Sequence, residues 1–186
     1  AVTAGTDGYF TFYMSAKTKI DSSDKTWEDG YACKQRVNFG GKADVANMKN
    51  LVSFKTSNAA KVKVYWVEGG TDNRQMAIFG STGDVVTKTE VTAAKNDPVV
   101  STLELADAGT YYLGGLENNN YIFKIEVEET AAVEEPVVKE YELDGAKLET
   151  AAAGKFTDGQ TVAAGTDNAF TPVSYTHLTL PTKLEV

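Results

Sequence analysis

The stretch "AKVKVYWVE" at residues 60–68 alternates lysine and valine before reaching Tyr65 and Trp66. Side chains of an extended chain point to opposite faces in turn, so a period of two marks a half-buried strand rather than a helix. Val62, Val64 and Trp66 then share one face, and Lys61, Lys63 and Tyr65 the other. "YACKQRVNF" at 31–39 reads likewise, with Tyr31, Cys33, Val37 and Phe39 opposite Lys34, Arg36 and Asn38. In "NYIFKIEV" at 120–127 the same rule makes Tyr121, Phe123, Ile125 and Val127 the inner set.

The pattern extends in both directions. "GYFTFYMS", "NLVSFKTS", "RQMAIFG", "DVVTKTEVT", "PVVSTLELA" and "GTYYLGGL" are further short runs rich in β-branched and aromatic residues. Turn formers separate them: glycine pairs at 40–41 and 69–70, "STGD" at 81–84, "KNDP" at 95–98, "DAG" at 107–109 and "NNN" at 118–120. No helical period is sustained. The expectation is an all-β, antiparallel β-sandwich of jelly-roll-like character.

The whole chain has 186 residues, 42% of them hydrophobic, which is enough for one core with additional material. A formal net charge of −8 argues against a general nucleic-acid or anionic-membrane binder, since such proteins present positive surface. No stretch approaches the roughly 18 apolar residues of a membrane span. Cys33 is the only cysteine, so no internal disulfide forms, and it reads as a small buried hydrophobe.

Four regions are expected. Residues 1–128 form the sandwich, 129–138 an acidic linker, 139–171 the opening of a second repeat, and 172–186 a non-native tail. The repeat is visible directly: "AGTDGYFT" at 4–11 returns as "AGTDNAFT" at 164–171. "VSYTHLTLPTK" at 173–183 has no counterpart in the first copy. It resembles the translated sequencing adapter found at broken ends of metagenomic genes, and the final "LEV" resembles a cloning scar. The only histidine, His177, falls in that tail and is set aside. A strand at about 140–149 is expected to pair with the first unit's open sheet edge, in a monomer or as a strand-swapped dimer.

Taken together, "DGY" at 29–31 with Arg36 and Gly40–Gly41, the pair of runs from Phe54 to Trp66, Arg74, and "AGTYYLGG" through "YIFKIEV" resemble a known kind of module. It is the β-sandwich, carbohydrate-binding-type module found, often in tandem, on pectate lyases and other plant-cell-wall-degrading enzymes of gut Firmicutes. The resemblance implies a non-catalytic, secreted role beside a parent catalytic domain, with cell wall polysaccharide as partner.

Sugar sites combine aromatic rings, which stack on pyranose faces, with planar polar groups. Arginine and lysine suit uronic acids. Lys34, Arg36, Lys61, Lys63 and Arg74 are the candidate basic patch, Tyr65 and Trp66 the candidate rings, and Asn73 a polar loop contact. Trp27, in the polar loop "SSDKTWEDG", is either an exposed platform or a ring folded over the sandwich end. Trp66 is either ligand-facing or core. The basic face points first to pectic homogalacturonan, with neutral xylan or β-glucan as the alternative. A structural or adhesion module without a sugar site is the reading from another class.

No cofactor is expected. Asp21, Asp24, Glu28 and Asp29 are the weak candidates for calcium, but their spacing lacks a calcium-loop rhythm, and a solvated acidic turn explains them too. Nothing singles out a carboxylate pair, and no nucleotide fingerprint is present, so an enzyme is not expected.

Overall fold

The computed structural model describes residues 8–70, 73–90, 95–130, 139–144, 161–164 and 170–172. In chain order its strands are β1 (Thr11–Tyr13), β2 (Lys19–Thr26), β3 (Ala32–Asn38), β4 (Leu51–Thr56) and β5 (Ala60–Glu68). Then come β6 (Met76–Phe79), β7 (Val85–Lys88), β8 (Pro98–Leu105), β9 (Gly109–Gly115) and β10 (Asn120–Glu129). The last three are β11 (Lys139–Asp144), β12 (Thr161–Ala164) and β13 (Phe170–Pro172). Every pairing between these strands is antiparallel.

Two sheets face each other, as the sequence predicts. The first runs β13-β12-β1-β4-β9-β6-β7, and the second runs β2-β3-β10-β5-β8 with β11 also on β10. Consecutive strands β4 and β5 lie in opposite sheets, so the chain crosses the sandwich at Ser57–Ala59. Between the sheets lie Phe10, Phe12, Phe39, Phe54, Val64 and Trp66, with Ile78, Leu113 and Ile125. Full burial of each such side chain contributes about 1.5–3 kcal/mol before entropy is charged.

Pure alternation holds along β5 but fails on β10. Ile122 lies opposite Trp66, yet Lys124 lies opposite Tyr65, so Phe123 is an extra residue in a bulge. Ile122, Ile125 and Val127 therefore face the main core, whereas Tyr121 and Phe123 pack on the outer side of the second sheet. The expected inner set is corrected for those two aromatics. A similar split corrects β3: Val37 and Phe39 face the core, while Tyr31 and Cys33 join the outer cluster. The pairing of β2 with β3 slips between Ser22 and Lys25.

The C-terminal strands complete both sheets. β5 takes one whole edge of β10, and β3 reaches only Tyr121 and Ile122 on the other. β11 takes the remainder, Lys124 to Glu129, in continuous register with Asp144 to Lys139. β12 takes the edge of β1 that β4 leaves free. Of the expected tail, 172–186, only Pro172 is described, as the end of β13. Of the expected linker, 129–138, Glu129 ends β10 and Thr130 follows it. The rest of both, with His177, lies outside the described residues.

Two local features hold the ends of the sandwich. Buried Glu129 accepts the Ser57 amide at 2.9 Å and the Tyr9 hydroxyl at 3.3 Å, tying the end of β10 to the corner. Gly40 has φ +78°, and a β-carbon there would stand 2.6 Å from Lys17 Cβ. Its amide donates to the side-chain oxygens of Asn38 and Asn119, each at 3.1 Å.

Candidate aromatic and charged face

The turn between β2 and β3 builds the site. Gly30 donates its amide to the Trp27 carbonyl at 3.0 Å, and the Trp27 amide returns to the Tyr31 carbonyl at 2.9 Å. Gly30 has φ +87°, which suits a residue without a β-carbon. Asp29 accepts the Tyr31 amide at 3.0 Å and stiffens the turn. The turn thereby folds Trp27 down onto the outer side of the second sheet.

There Trp27 meets Phe123 edge-on at 4.9 Å between centroids, Tyr31 at 5.1 Å and Tyr65 at 5.7 Å. Its indole N–H donates to the Val99 carbonyl at 3.1 Å. Only 3% of Trp27 is exposed, so the ring is a plug and not a platform. Cys33 is buried in the same cluster, as expected. Trp66 is wholly buried in the main core, where its N–H donates to Ser101 Oγ at 3.0 Å. Neither tryptophan presents a face to solvent.

Around this second small core runs a network of paired charges. The Tyr65 hydroxyl donates to Asp29 Oδ2 at 2.6 Å, and Lys63 stands 3.6 Å from both Asp29 and Glu126. Lys124 binds Glu126 at 2.7 Å, with its ammonium 5.1 Å from the Tyr31 ring centre and 5.3 Å from that of Tyr65. Arg36 donates to Asp21 from Nε at 2.6 Å and lays its guanidinium 3.5 Å from the Tyr121 ring centre. Lys19 adds a second cation to Asp21 at 3.3 Å.

The titration of these groups follows from their neighbours. Asp29 is held below its ordinary value, first by the Tyr65 hydroxyl and then by the Tyr31 amide. Tyr65 is pushed up, chiefly by burial and then by donating to Asp29. Lys63 is pushed up, first by its contact with Tyr65 and against a partial loss of hydration. For Asp21, burial pulls upward, but Arg36, then Lys19 and Asn38, bring the carboxyl below its ordinary value.

The structure brings together Arg36, Lys63 and Tyr65 from the sequence-derived set, with β10 between the strands that carry them. Trp27 packs on Tyr65 beneath them, Trp66 lies in the main core, and Lys34, Lys61, Asn73 and Arg74 stand apart. Lys34 is exposed beside Asp24, Lys25 and Thr26, and Lys61 is exposed 3.9 Å from Glu104. Asn73, at φ +49°, is exposed in the β5–β6 connection. Arg74 donates to the Asn119 carbonyl at 2.8 Å and packs on Gly70, holding that connection to the β9–β10 turn.

Sequence reasoning missed Tyr31, Tyr121, Lys124 and Glu126 as members of the site. Tyr31 and Tyr121 are half-buried and are the rings of this face that reach solvent. Asp21, Asp24, Glu28 and Asp29 do not gather as a metal-binding group; Asp21 and Asp29 are engaged as above.

Beside the plug lies a groove of about 320 Å³, bounded by Trp27, Glu28, Asp29, Lys63, Pro98 and Val100. A second cleft of about 370 Å³ opens at one end of the sandwich, among Lys17, Lys42, Lys49, Asp44 and Asn50.

No family model and no curated protein matches the chain. Among solved structures it is similar to the CBM22-1 xylan-binding domain from Paenibacillus barcinonensis Xyn10C. That alignment has 13% identity and a TM-score of 0.32, and it covers 68% of this chain and 96% of the other.

Proposed function

We propose that this chain is a non-catalytic carbohydrate-binding module, and that it binds through the outer face of the second sheet. One observation carries the reading: two partly buried tyrosine rings, Tyr31 and Tyr121, are set among planar polar groups already fixed in place by one another. Tyr31 can cover the C–H face of a sugar, the Arg36 guanidinium stacked on Tyr121 can take hydroxyls beside it, and groups so pre-fixed lose little entropy in doing so. The groove beside Lys63 and Asp29 extends the surface.

The charge pairing bears on the ligand. Arg36, Lys63 and Lys124 each have a carboxylate partner within 3.6 Å. A polyuronate would have to displace those carboxylates, whereas a neutral chain would not. A neutral xylan or β-glucan is therefore favoured over homogalacturonan. The module would hold a secreted parent enzyme at plant cell wall polysaccharide. The burial of both tryptophans favours a second reading, a structural or adhesion module without a sugar site.

Affinity electrophoresis against xylan, β-glucan, soluble cellulose and low-ester pectin tests both. Retardation by a neutral glycan, lost in Tyr121→Ala and Tyr31→Ala variants of unchanged melting temperature, is the expected result. Retardation by pectin alone would refute the neutral-ligand choice. No retardation by any glycan would leave the structural reading.

A further inference from the structure

The cleft at the end of the sandwich is basic, although the chain as a whole carries a net charge of −8. Two connections form it. The one between β1 and β2 supplies Lys17, and the one between β3 and β4 supplies Gly40, Lys42, Asp44, Lys49 and Asn50. They meet at Gly40, where a β-carbon would stand 2.6 Å from Lys17 Cβ and 2.8 Å from the Lys17 carbonyl oxygen. The close approach sets Lys17 beside the second connection.

The longer connection is firmly built. Asp44 and Lys49 exchange two amide-to-carbonyl hydrogen bonds, each of 2.9 Å. The Ala43 amide donates to the Gly115 carbonyl at 2.9 Å, which anchors the loop on the end of β9. Asn50 Nδ2 donates to the Lys42 carbonyl at 3.1 Å. This closure holds Met48 at φ +50° and Asn50 at φ +57°. Asparagine takes that conformation readily, but methionine takes it only under constraint. Strain of this kind persists where the surroundings over-determine the backbone, as they do at ligand clamps.

The charges of the cleft are distributed unlike those of the outer face. There Arg36, Lys63 and Lys124 each have a carboxylate within 3.6 Å. Here three lysines meet one aspartate, and that aspartate is already served. Asp44 Oδ1 accepts the Asn47 amide at 3.0 Å, and Oδ2 accepts the Asn47 side-chain amide at 2.9 Å. Among the described residues, Lys17 and Lys42 form no ion pair. No aromatic ring lines the cleft, so stacking on a neutral sugar is not on offer. No arginine lines it either, and arginine is the side chain whose planar fork matches a carboxylate. Lysine ammoniums are point charges, which can converge on a compact oxyanion from several sides. A volume of about 370 Å³ falls in the range of about 300–1,000 Å³ of small-molecule sites, so the organic group that carries the anion fits too.

We propose that this cleft binds the phosphate or sulfate ester group of a small molecule through Lys17, Lys42 and Lys49. The inference stands whether or not the outer face binds a glycan.

Nuclear magnetic resonance titration of the isotope-labelled full chain tests it. The probes are glucose 6-phosphate, glucose 6-sulfate, glucuronate and glucose at matched ionic strength. The expected result is that an ester shifts the backbone amides of Lys17, Gly41, Lys42 and Lys49, and that glucose and glucuronate shift them far less. The shifts should weaken as salt rises. Lys17→Gln with Lys42→Gln should weaken ester binding roughly 5–30-fold, the loss of two exposed ion pairs. Both side chains are exposed, so the melting temperature should hold. Tighter binding of the phosphate, fading below its second pKa of about 6, supports the proposal with a phosphate ester as ligand. Equal or tighter binding of the sulfate supports it with a sulfate ester. Four results would overturn it: no shift with either ester, glucose or glucuronate binding as tightly as the esters, shifts centred on Tyr31 and Tyr121, or unaltered ester affinity in the double variant.

Discussion

Trp27→Ala should be among the most damaging substitutions on the outer face, although Trp27 lies in a turn of polar residues. The indole is 3% exposed and touches Phe123, Tyr31 and Tyr65. Truncating a buried Trp or Phe to alanine costs about 3–5 kcal/mol. Loss of the donor to Val99 adds little, since a half-buried carbonyl can turn to water. For a chain of this length, that range corresponds to a fall in melting temperature on the order of 10 °C. Trp27→Phe keeps a ring on Phe123 but drops the N–H, so it should recover more than half of the loss. Far-UV circular dichroism is the suitable probe, because removing one of two tryptophans alters the fluorescence itself. A double-mutant cycle with Phe123→Leu should return a coupling of about 0.5–1.5 kcal/mol. A loss below about 1 kcal/mol for Trp27→Ala, with zero coupling, would refute the plug. It would return Trp27 to the role of an exposed platform.

Three further outcomes are expected. Gly40→Ala places a β-carbon at φ +78° and 2.6 Å from Lys17 Cβ, so urea midpoints should fall by the equivalent of roughly 1–3 kcal/mol, with unchanged slope. Glu129→Ala leaves the Ser57 amide without its acceptor at the sandwich corner and should cost about 1–3 kcal/mol by the same assay, with Glu129→Gln recovering part of it. Stability should be flat across neutral pH and fall at both ends. Asp21 and Asp29 have lowered folded values, so their contribution is present above the ordinary value of 3.8 and is lost as pH falls below it. Tyr65 and Lys63 have raised folded values, so theirs is present below the ordinary 10.0 and 10.5 and is lost as pH rises past the folded values. Tyr65→Phe should flatten the alkaline limb of a melting-temperature profile, and an unchanged limb would contradict the assignment.

The fold was readable wherever strands are regular. Along β5 every residue from Lys61 to Trp66 falls on the face its parity assigns, because no extra residue interrupts the ladder. On β10 a single inserted residue, Phe123, reverses the faces on one side of it, and nothing in the local sequence marks the insertion. Tyr121 was therefore assigned inward, and the ring beneath Arg36 was missed. Strand order is equally silent in a period of two. Arg36 and Lys63 share a face, but β10 stands between them and adds Lys124 and Glu126, which convert a basic patch into a paired network. The fate of Trp27 depended on the turn at Gly30, whose direction alternation cannot give.

The distance in sequence between β1 and β12 has a consequence for synthesis. β1 leaves the ribosome well before the strand on its outer edge, which follows about 150 residues later. At about 5–20 residues per second, that interval is roughly 8–30 s. Among the described strands only β12 takes that edge of β1, so during that time it is accessible to a strand on a neighbouring nascent chain. Crowding of ribosomes on one message would thus bias which strand arrives first.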